Sequence, residues 1–354
     1  MRRPNRSHDA GRVRASPAFG TLLSLDNALE QFRHWLEEAG TILLTGHTGP
    51  DADTVGACLA MYQVLEAFPA TRRVLMHDPV PKNLQFLPHS SVVEVVGTDF
   101  EPGSAWRAAD LAVVMDLSVR DRLGRVLPLV EGAHRVVVVD HHEPSGDAFG
   151  DLLFIDSSAP ATCLILFRIF QALSLPISPG IAQCLLAGIA TDTGNFAYAN
   201  TTPEALQAAA ALVERGADLT LINEEVWNKR PLSALQILGR VLTRIESRCD
   251  GRVLVSHLTL QDFEELVATD EETEGAVNEL LRAETACAVA LLRELRPGRV
   301  RVSLRSRGAY DVAAVCREFG GGGHRNAAGC TIESSVDEAK RLIREALERC
   351  VGSC

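Results

Sequence analysis

The sequence predicts an α/β protein: an N-terminal doubly wound domain built on a mainly parallel sheet, a helical linker, and a smaller C-terminal α/β domain. Three observations carry this. Short aliphatic runs, Thr41–Leu44, Leu111–Met115 (LAVVM) and Arg135–Val139 (RVVVV), alternate with helix-length segments. These runs are apolar almost throughout, the mark of strands buried on both faces. Beyond Asp250-Gly251 the pattern shifts to strands with strict period-two alternation. The expected boundaries are a tail over 1–22, a first domain over 23–215, a linker over 216–248 and a second domain over 249–354.

Taken in order, Leu25, Leu29, Phe32 and Leu36 fall at helical spacing and Gly40 stops them, so Ser24 to Ala39 is a helix. The strand Thr41–Leu44 runs into the turn TGHTGPDADTVGACLA, and a second helix is expected from Thr54 to Phe68, closed by Pro69. Arg73–Met76 and Val92–Val96 read as short strands. Ile181–Ile189 is an apolar helix and Pro203–Glu214 an alanine-rich one. Gly216 to Asp218 is a turn, and Leu219 to Glu246 reads as a helical hairpin. The second domain then gives a strand at Arg252–His257, a helix, a strand at Ala286–Leu292, a turn at Pro297-Gly298 and another strand. A helix over Asp311–Glu318, four glycines and a closing helix from the Ser335–Glu338 capping box to Cys350 complete it.

Composition narrows the function classes. The 354 residues carry a formal net charge of −11, which argues against a general nucleic-acid coat protein; an anionic ligand has to meet a local basic patch or metal ions. Nine cysteines without CxxC pairs, three of them (Cys58, Cys163, Cys184) in apolar helical stretches, read as reduced core residues of a cytoplasmic protein. No run approaches the ~20 apolar residues that span a bilayer. Arg2, Arg3, Arg6, Arg12 and Arg14 lack an apolar signal-peptide core beside them and read as a frayed basic tail.

The chemistry-bearing residues recur at strand ends. His47, Asp51 and Asp53 follow the first strand; Asp116 ends the LAVVM run; Asp140, His141 and His142 end the RVVVV run; Asp192 follows the apolar helix. The carboxyl edge of a parallel sheet is where ligands bind, at the point where strand order reverses. Imidazole with carboxylate suits manganese, iron or zinc, and four such clusters read as a two-metal site. The helix opening at Thr54–Gly56 is expected to offer free N–H groups to a phosphate, with capping by Asp53 as the competing reading. Arg120 and Arg122 lie near Asp116 as candidate phosphate partners or surface ion pairs. In the second domain Val300, Val302 and Leu304 alternate with Arg299, Arg301, Ser303, Arg305 and Arg307, which puts the arginines on one face as an anion stripe. The glycines that follow, Gly321, Gly322 and Gly323 among them, allow close backbone approach to an anion beside His324 and Arg325.

These motifs in this order, GHTGPDADTVGA, VVMDLSVRDRLG, VVVDHHEPSGD, GIATDTGNFAY, SLRSRG and FGGGGHRNAAG, resemble the DHH phosphoesterases from about residue 23 onward. The last two resemble the DHH-associated C-terminal domain, and the layout is similar to the NrnA-type branch, bifunctional oligoribonucleases and 3'-phosphoadenosine 5'-phosphate (pAp) phosphatases. Ala57 departs from the serine common there, a matter of helix packing. The resemblance implies two divalent cations, manganese for preference, one held by His47 and Asp51, the other by Asp53, His141 and Asp192, with Asp116 bridging. Asp140 and His142 would stand behind these ligands, His142 orienting a ligand or donating to the phosphate.

The expected function is therefore hydrolysis of short single-stranded RNA or dinucleotides to mononucleotides, and of pAp to AMP, by a two-metal-activated water. Arg122, Arg301, Ser303, Arg305, Gly321, Gly322, Gly323, His324 and Arg325 would bind substrate, the second domain presenting its residues across a cleft. No membrane and no long duplex are expected as partners, and a homodimer is left open. Hydrolysis of a cyclic dinucleotide such as c-di-AMP, or of its linear product, is the rival within the same chemistry. An inorganic pyrophosphatase fits less well because that branch lacks the GGGH pattern, and a nucleotide-binding regulator would need a missing ligand.

Overall fold

The computed structural model describes residues 24–143 and 149–352. The expected tail and Asp147 of the VVVDHHEPSGD stretch lie outside the described residues. The chain packs as two units, Met1–Lys229 and Arg230–Cys354.

The first unit contains α1 (Leu25–Glu38), β1 (Thr41–Thr45), α2 (Ala52–Val64), β2 (Thr71–Met76), β3 (Val93–Val95), α3 (Ser104–Arg107), β4 (Leu111–Met115) and α4 (Leu127–Gly132). It continues through β5 (Val136–Asp140), β6 (Leu152–Ile155), α5 (Thr162–Ala172), α6 (Pro179–Asp192), α7 (Pro203–Glu214) and α8 (Leu219–Asn223). Its sheet runs β3-β2-β1-β4-β5-β6, and each strand pair is parallel. Strand order therefore reverses between β1 and β4. Successive residues of a strand serve opposite faces: Ile42, Leu44, Val113 and Met115 pack with α1, α2, α5 and α6, while Leu43, Ala112 and Val114 pack with Leu123, Val126 and Leu129. Both faces being covered is why these strands are continuously apolar.

The second unit contains α9 (Leu232–Thr243), β7 (Glu246–Arg248), β8 (Val253–Leu258), α10 (Leu260–Leu266), α11 (Ala276–Leu281), β9 (Ala288–Arg296) and β10 (Arg299–Ser306). It ends with α12 (Val312–Glu318), β11 (Gly322–His324), β12 (Ala327–Ile332) and α13 (Val336–Val351). Its mixed sheet runs β11-β12-β10-β9-β8-β7, with only β8 and β9 parallel. One face packs on α12 and α13 through Val300, Val302 and Leu304; part of the other packs on α9 and α11 through Leu254, Val289 and Leu291.

Several expectations are corrected. The strand β6 belongs to the first unit and was not foreseen, since the half-buried alternation of Leu152–Ile155 is too short to stand out, whereas the apolar helical stretch expected around Cys163 is α5. In place of a helical hairpin over 219–246 there is α8, a π-type turn over Glu224–Asn228, and then α9, while β7 pairs with β8 as an edge strand. The helix after His47 begins at Ala52 rather than Thr54, and its cap is Asp51, not Asp53. The glycine run is no open loop: Gly322–His324 is a strand paired with Ala327–Gly329. Cys58, Cys163 and Cys184 are buried free thiols, but Cys249 is disulfide-bonded.

Candidate metal centre

The centre forms at the carboxyl edge of the first sheet, where β1 and β4 diverge. After β1 the chain passes so close to its neighbours that a Cβ on Gly46 would overlap Thr54 Cγ2 and lie 3.0 Å from the Met115 carbonyl. This brings His47 against Asp116. His47 donates from Nδ1 to the Thr48 carbonyl (2.9 Å), and Thr48 N donates to the Arg122 carbonyl (2.8 Å), which turns Nε2 of His47 inward. His141 is held in the same sense, Nδ1 against the Ala159 carbonyl at 3.3 Å. A ring nitrogen fixed on a carbonyl leaves the other free to serve as a ligand.

Asp116 lies between the two rings. Its Oδ2 is 3.4 Å from His47 Nε2 and its Oδ1 is 3.4 Å from His141 Nε2. Each oxygen also accepts a hydroxyl hydrogen bond, Oδ2 from Thr54 (2.8 Å) and Oδ1 from Thr162 (3.1 Å). The residue is buried and has φ 62°, a left-handed bend at the end of β4 that re-aims the carboxylate. Asp51 uses Oδ1 to cap α2, accepting from Asp53 N and Thr54 N, and keeps Oδ2 3.6 Å from His47. The N–H groups expected to face a phosphate are thus consumed by the cap. Asp53 is fully buried, taking Thr162 N (2.6 Å) and Cys163 N (2.8 Å) at the start of α5. Asp192, the last residue of α6, stands 3.2 Å from His141 Nε2.

Among the described residues, donor atoms fall into three groups, each within 4.8 Å: His47, Asp51 and Asp116; Asp53, His141 and Asp192; and Asp116, His141 and His142. Asp116 belongs to the first and third groups but not to the second, which it meets only through His141. Behind them Asp140 accepts from His142 Nδ1 at 2.8 Å and from His142 N at 3.1 Å; His142 is half-exposed, 3.6 Å from Asp116.

The electrostatics fit a cation pair. Burial opposes charge on His47, yet hydrogen bonds to Asp116 and Asp51 raise its pKa to about 10. His141, likewise penalised by burial, is raised to about 9 by Asp192 and the charges of Asp53 and Asp116. Burial, then the charges of Asp116 and Asp192, push Asp53 well above the carboxylate range, and burial raises Asp192. For Asp51, the hydrogen bonds from His47 and Thr54 overcome burial and lower it to about 2. Carboxylates that repel one another and imidazoles that capture protons are what a divalent cation replaces. The oxygen and nitrogen donor set can hold such ions.

Two residues that anchor Asp116, Thr54 and Thr162, were not read from the sequence; the polar, small-residue stretch Ser157–Ala161 before an apolar run was the available signal for a helix start there. Of the expected phosphate partners in this unit, Arg120 pairs with Glu131 (3.6 Å), and Arg122 is exposed.

The second unit holds a cavity of about 880 Å³ lined by Arg301, Ser303, Arg305, Gly321 and Gly322, with Asp270 and Arg293, which the sequence reading did not single out. The arginine stripe divides here. Arg299 pairs with Glu333 (3.4 Å) and Arg307 donates to backbone carbonyls, so neither lines the cavity. Gly323, His324 and Arg325 lie outside its lining; His324 is exposed and Arg325 donates to the Ala309 carbonyl (2.8 Å).

Comparison with known proteins matches residues 41–189 to the DHH family, N-terminal domain, and residues 250–353 to the DHHA1 domain. A relative from Thermus thermophilus, named a bifunctional oligoribonuclease and PAP phosphatase NrnA, is 32% identical over 87% of this chain and 89% of its own. A cyclic-di-AMP phosphodiesterase PdeA from Listeria monocytogenes is 25% identical over 88% of this chain and 48% of its own. The crystal structure of an exopolyphosphatase-related protein from Bacteroides fragilis superposes with a TM-score of 0.82 at 26% identity, covering 91% of this chain and 96% of that one.

Proposed function

The chain belongs to the DHH family, and from that premise we propose that it is a manganese-dependent phosphoesterase that hydrolyses short oligoribonucleotides to mononucleotides and pAp to AMP in the cytoplasm. The observation that carries the proposal is the Asp116 carboxylate, whose two oxygens face different imidazoles and join the His47–Asp51 donors to the Asp53–His141–Asp192 donors. When bound, a pair of divalent cations activates water and neutralises the oxygens of an in-line phosphoryl displacement.

The remaining work falls to the chain's own groups. Thr54 and Thr162 hold Asp116 in place, and Asp140 orients His142, whose half-exposed ring is placed to donate to a phosphate or leaving-group oxygen. Arg305, Ser303, Gly321 and Gly322, which line the cavity of the second unit with Arg301, bind the nucleotide in this reading; Gly323, His324 and Arg325 lie outside that lining, and Arg122 is an exposed candidate on the first unit. The similarity to the Thermus protein, spanning nearly its whole length, supports RNA fragments and pAp as substrates. Among the described residues no helix is long and apolar enough to cross a membrane.

The test offers purified protein with manganese a labelled diribonucleotide, a five-residue RNA, pAp and c-di-AMP side by side. Asp116→Ala should remove turnover of every substrate, whereas Arg305→Ala and His324→Ala should raise KM with a smaller effect on kcat. Turnover that survives in Asp116→Ala would sink the two-cation mechanism. A clear preference for c-di-AMP would replace the substrate assignment with the cyclic-dinucleotide reading.

A further inference from the structure

The cavity of the second unit contains a carboxylate where a phosphate-binding site would be expected to have none. Asp270 Oδ1 receives Arg293 Nη1 at 2.9 Å, and its Oδ2 is 3.2 Å from Arg301 Nη1. One carboxylate thus occupies two guanidiniums, one per oxygen. Arg293 is nearly buried, 12% exposed; the same Nη1 also donates to Thr273 (2.8 Å) and Nη2 donates to Ser303 (3.0 Å), while its buried Nε has no hydrogen-bond partner among the described residues. Arg305, on the same strand as Arg301, forms no ion pair among the described residues and donates only to the Leu304 carbonyl. Glu271 and Glu274 also line the cavity.

We propose that Asp270 is a specificity-determining residue: by acting as counter-charge to Arg293 and Arg301 it leaves Arg305 as the guanidinium for the ligand, and so selects against polyanions with more than a few phosphates. This rests on the nucleotide-binding reading above. For a single strand, about 0.7 of a counter-ion is released for each phosphate met by a cation, so affinity grows with the number of such contacts. An arginine already neutralised contributes little to that growth. A carboxylate beside the site also repels each added phosphate, which is how like charge sets selectivity.

The experiment is calorimetric titration of the full chain, without added metal, with pAp and with AMP, over 50–300 mM salt, across which the Debye length falls from about 14 Å to about 6 Å. Asp270→Asn should bind pAp about three- to tenfold more tightly, change AMP less, and make pAp binding more sensitive to salt, as a freed guanidinium meets a second phosphate. The double variant Asp270→Asn/Arg301→Gln should lose that gain. Equal or weaker pAp binding by a folded Asp270→Asn overturns the proposal. A second pair needs no Asp270 variant: Arg305→Gln must weaken pAp binding more than Arg301→Gln does, and the reverse order also overturns it. Binding is read here without turnover. Failure to hydrolyse pAp with manganese would therefore sink the proposed function alone, whereas no binding of either nucleotide would sink both.

Discussion

At the scale of single residues, the centre depends on groups that hold the ligands as well as on the ligands. The Thr162 hydroxyl donates to one oxygen of Asp116 and its backbone N–H to Asp53, so one residue positions carboxylates from both donor groups. Thr162→Val removes the hydroxyl and keeps the shape and the N–H. The expected result is a ~10–100-fold loss of manganese affinity, the usual effect of removing a partner that orients a ligand; metal titration reads it, and unchanged affinity would show the hydroxyl to be incidental. His47, Asp51, Asp53, Asp116, His141 and Asp192 were legible in the sequence because each follows an apolar run that has to be a strand or buried helix. Thr162 was not, because the stretch before it marks at most a helix start: its role exists only once α5 is docked over Asp53. Asp270 was hidden for the same reason, an acidic surface residue in the chain that becomes the partner of two arginines in the fold.

At the scale of elements, α2, α5 and α6 meet through glycines. A Cβ on Gly188 would overlap Cys163 Sγ and stand 2.5 Å from Asp53 Oδ1, and one on Gly56 would overlap the Cys184 carbonyl. The helices that carry Asp53 and Asp192 are thereby drawn together. Gly188→Ala should cost about 1–3 kcal/mol by overpacking, seen as a lower Tm, and should weaken metal binding as Asp53 is displaced. A variant with native Tm and native metal affinity would show that the helices can part without consequence. The apolar run of α6 disclosed a buried helix, but the close approach at Gly188 is a property of the pair of helices and has no signature in either one. The same holds for β11, which reads as a glycine-rich turn until β12 is placed beside it.

At the scale of the whole molecule, proton and cation binding are linked to folding. In the metal-free protein His47 is raised from 6.5 to about 10 and His141 from 6.5 to about 9, so the folded state holds protons that the unfolded state releases. Their contribution is complete below pH 6.5 and is lost as pH rises through 9 and 10. Asp51, lowered from 3.8 to about 2, contributes above 3.8 and loses its contribution as pH falls through about 2. Thermal melting with a chelator should therefore show stability declining from pH 7 to pH 10. Manganese should restore stability over that range, by about 2.7 kcal/mol at a hundredfold excess over Kd, since the cation takes the place of the protons. Parallel curves with and without metal would remove this link. The two-unit architecture and the parallel sheet were legible as a whole, because alternation of buried runs and helices is a property of long stretches.

The donors of the centre span the chain from residue 47 to residue 192, and the last arrives on the final turn of α6. Two of the three donor groups are complete by residue 142, but the Asp53–His141–Asp192 group needs the chain as far as the end of α6. A chain that has not yet seated α6 against α2 therefore lacks the donor group to which Asp192 belongs, and the proposed two-cation chemistry would have to wait for that helix.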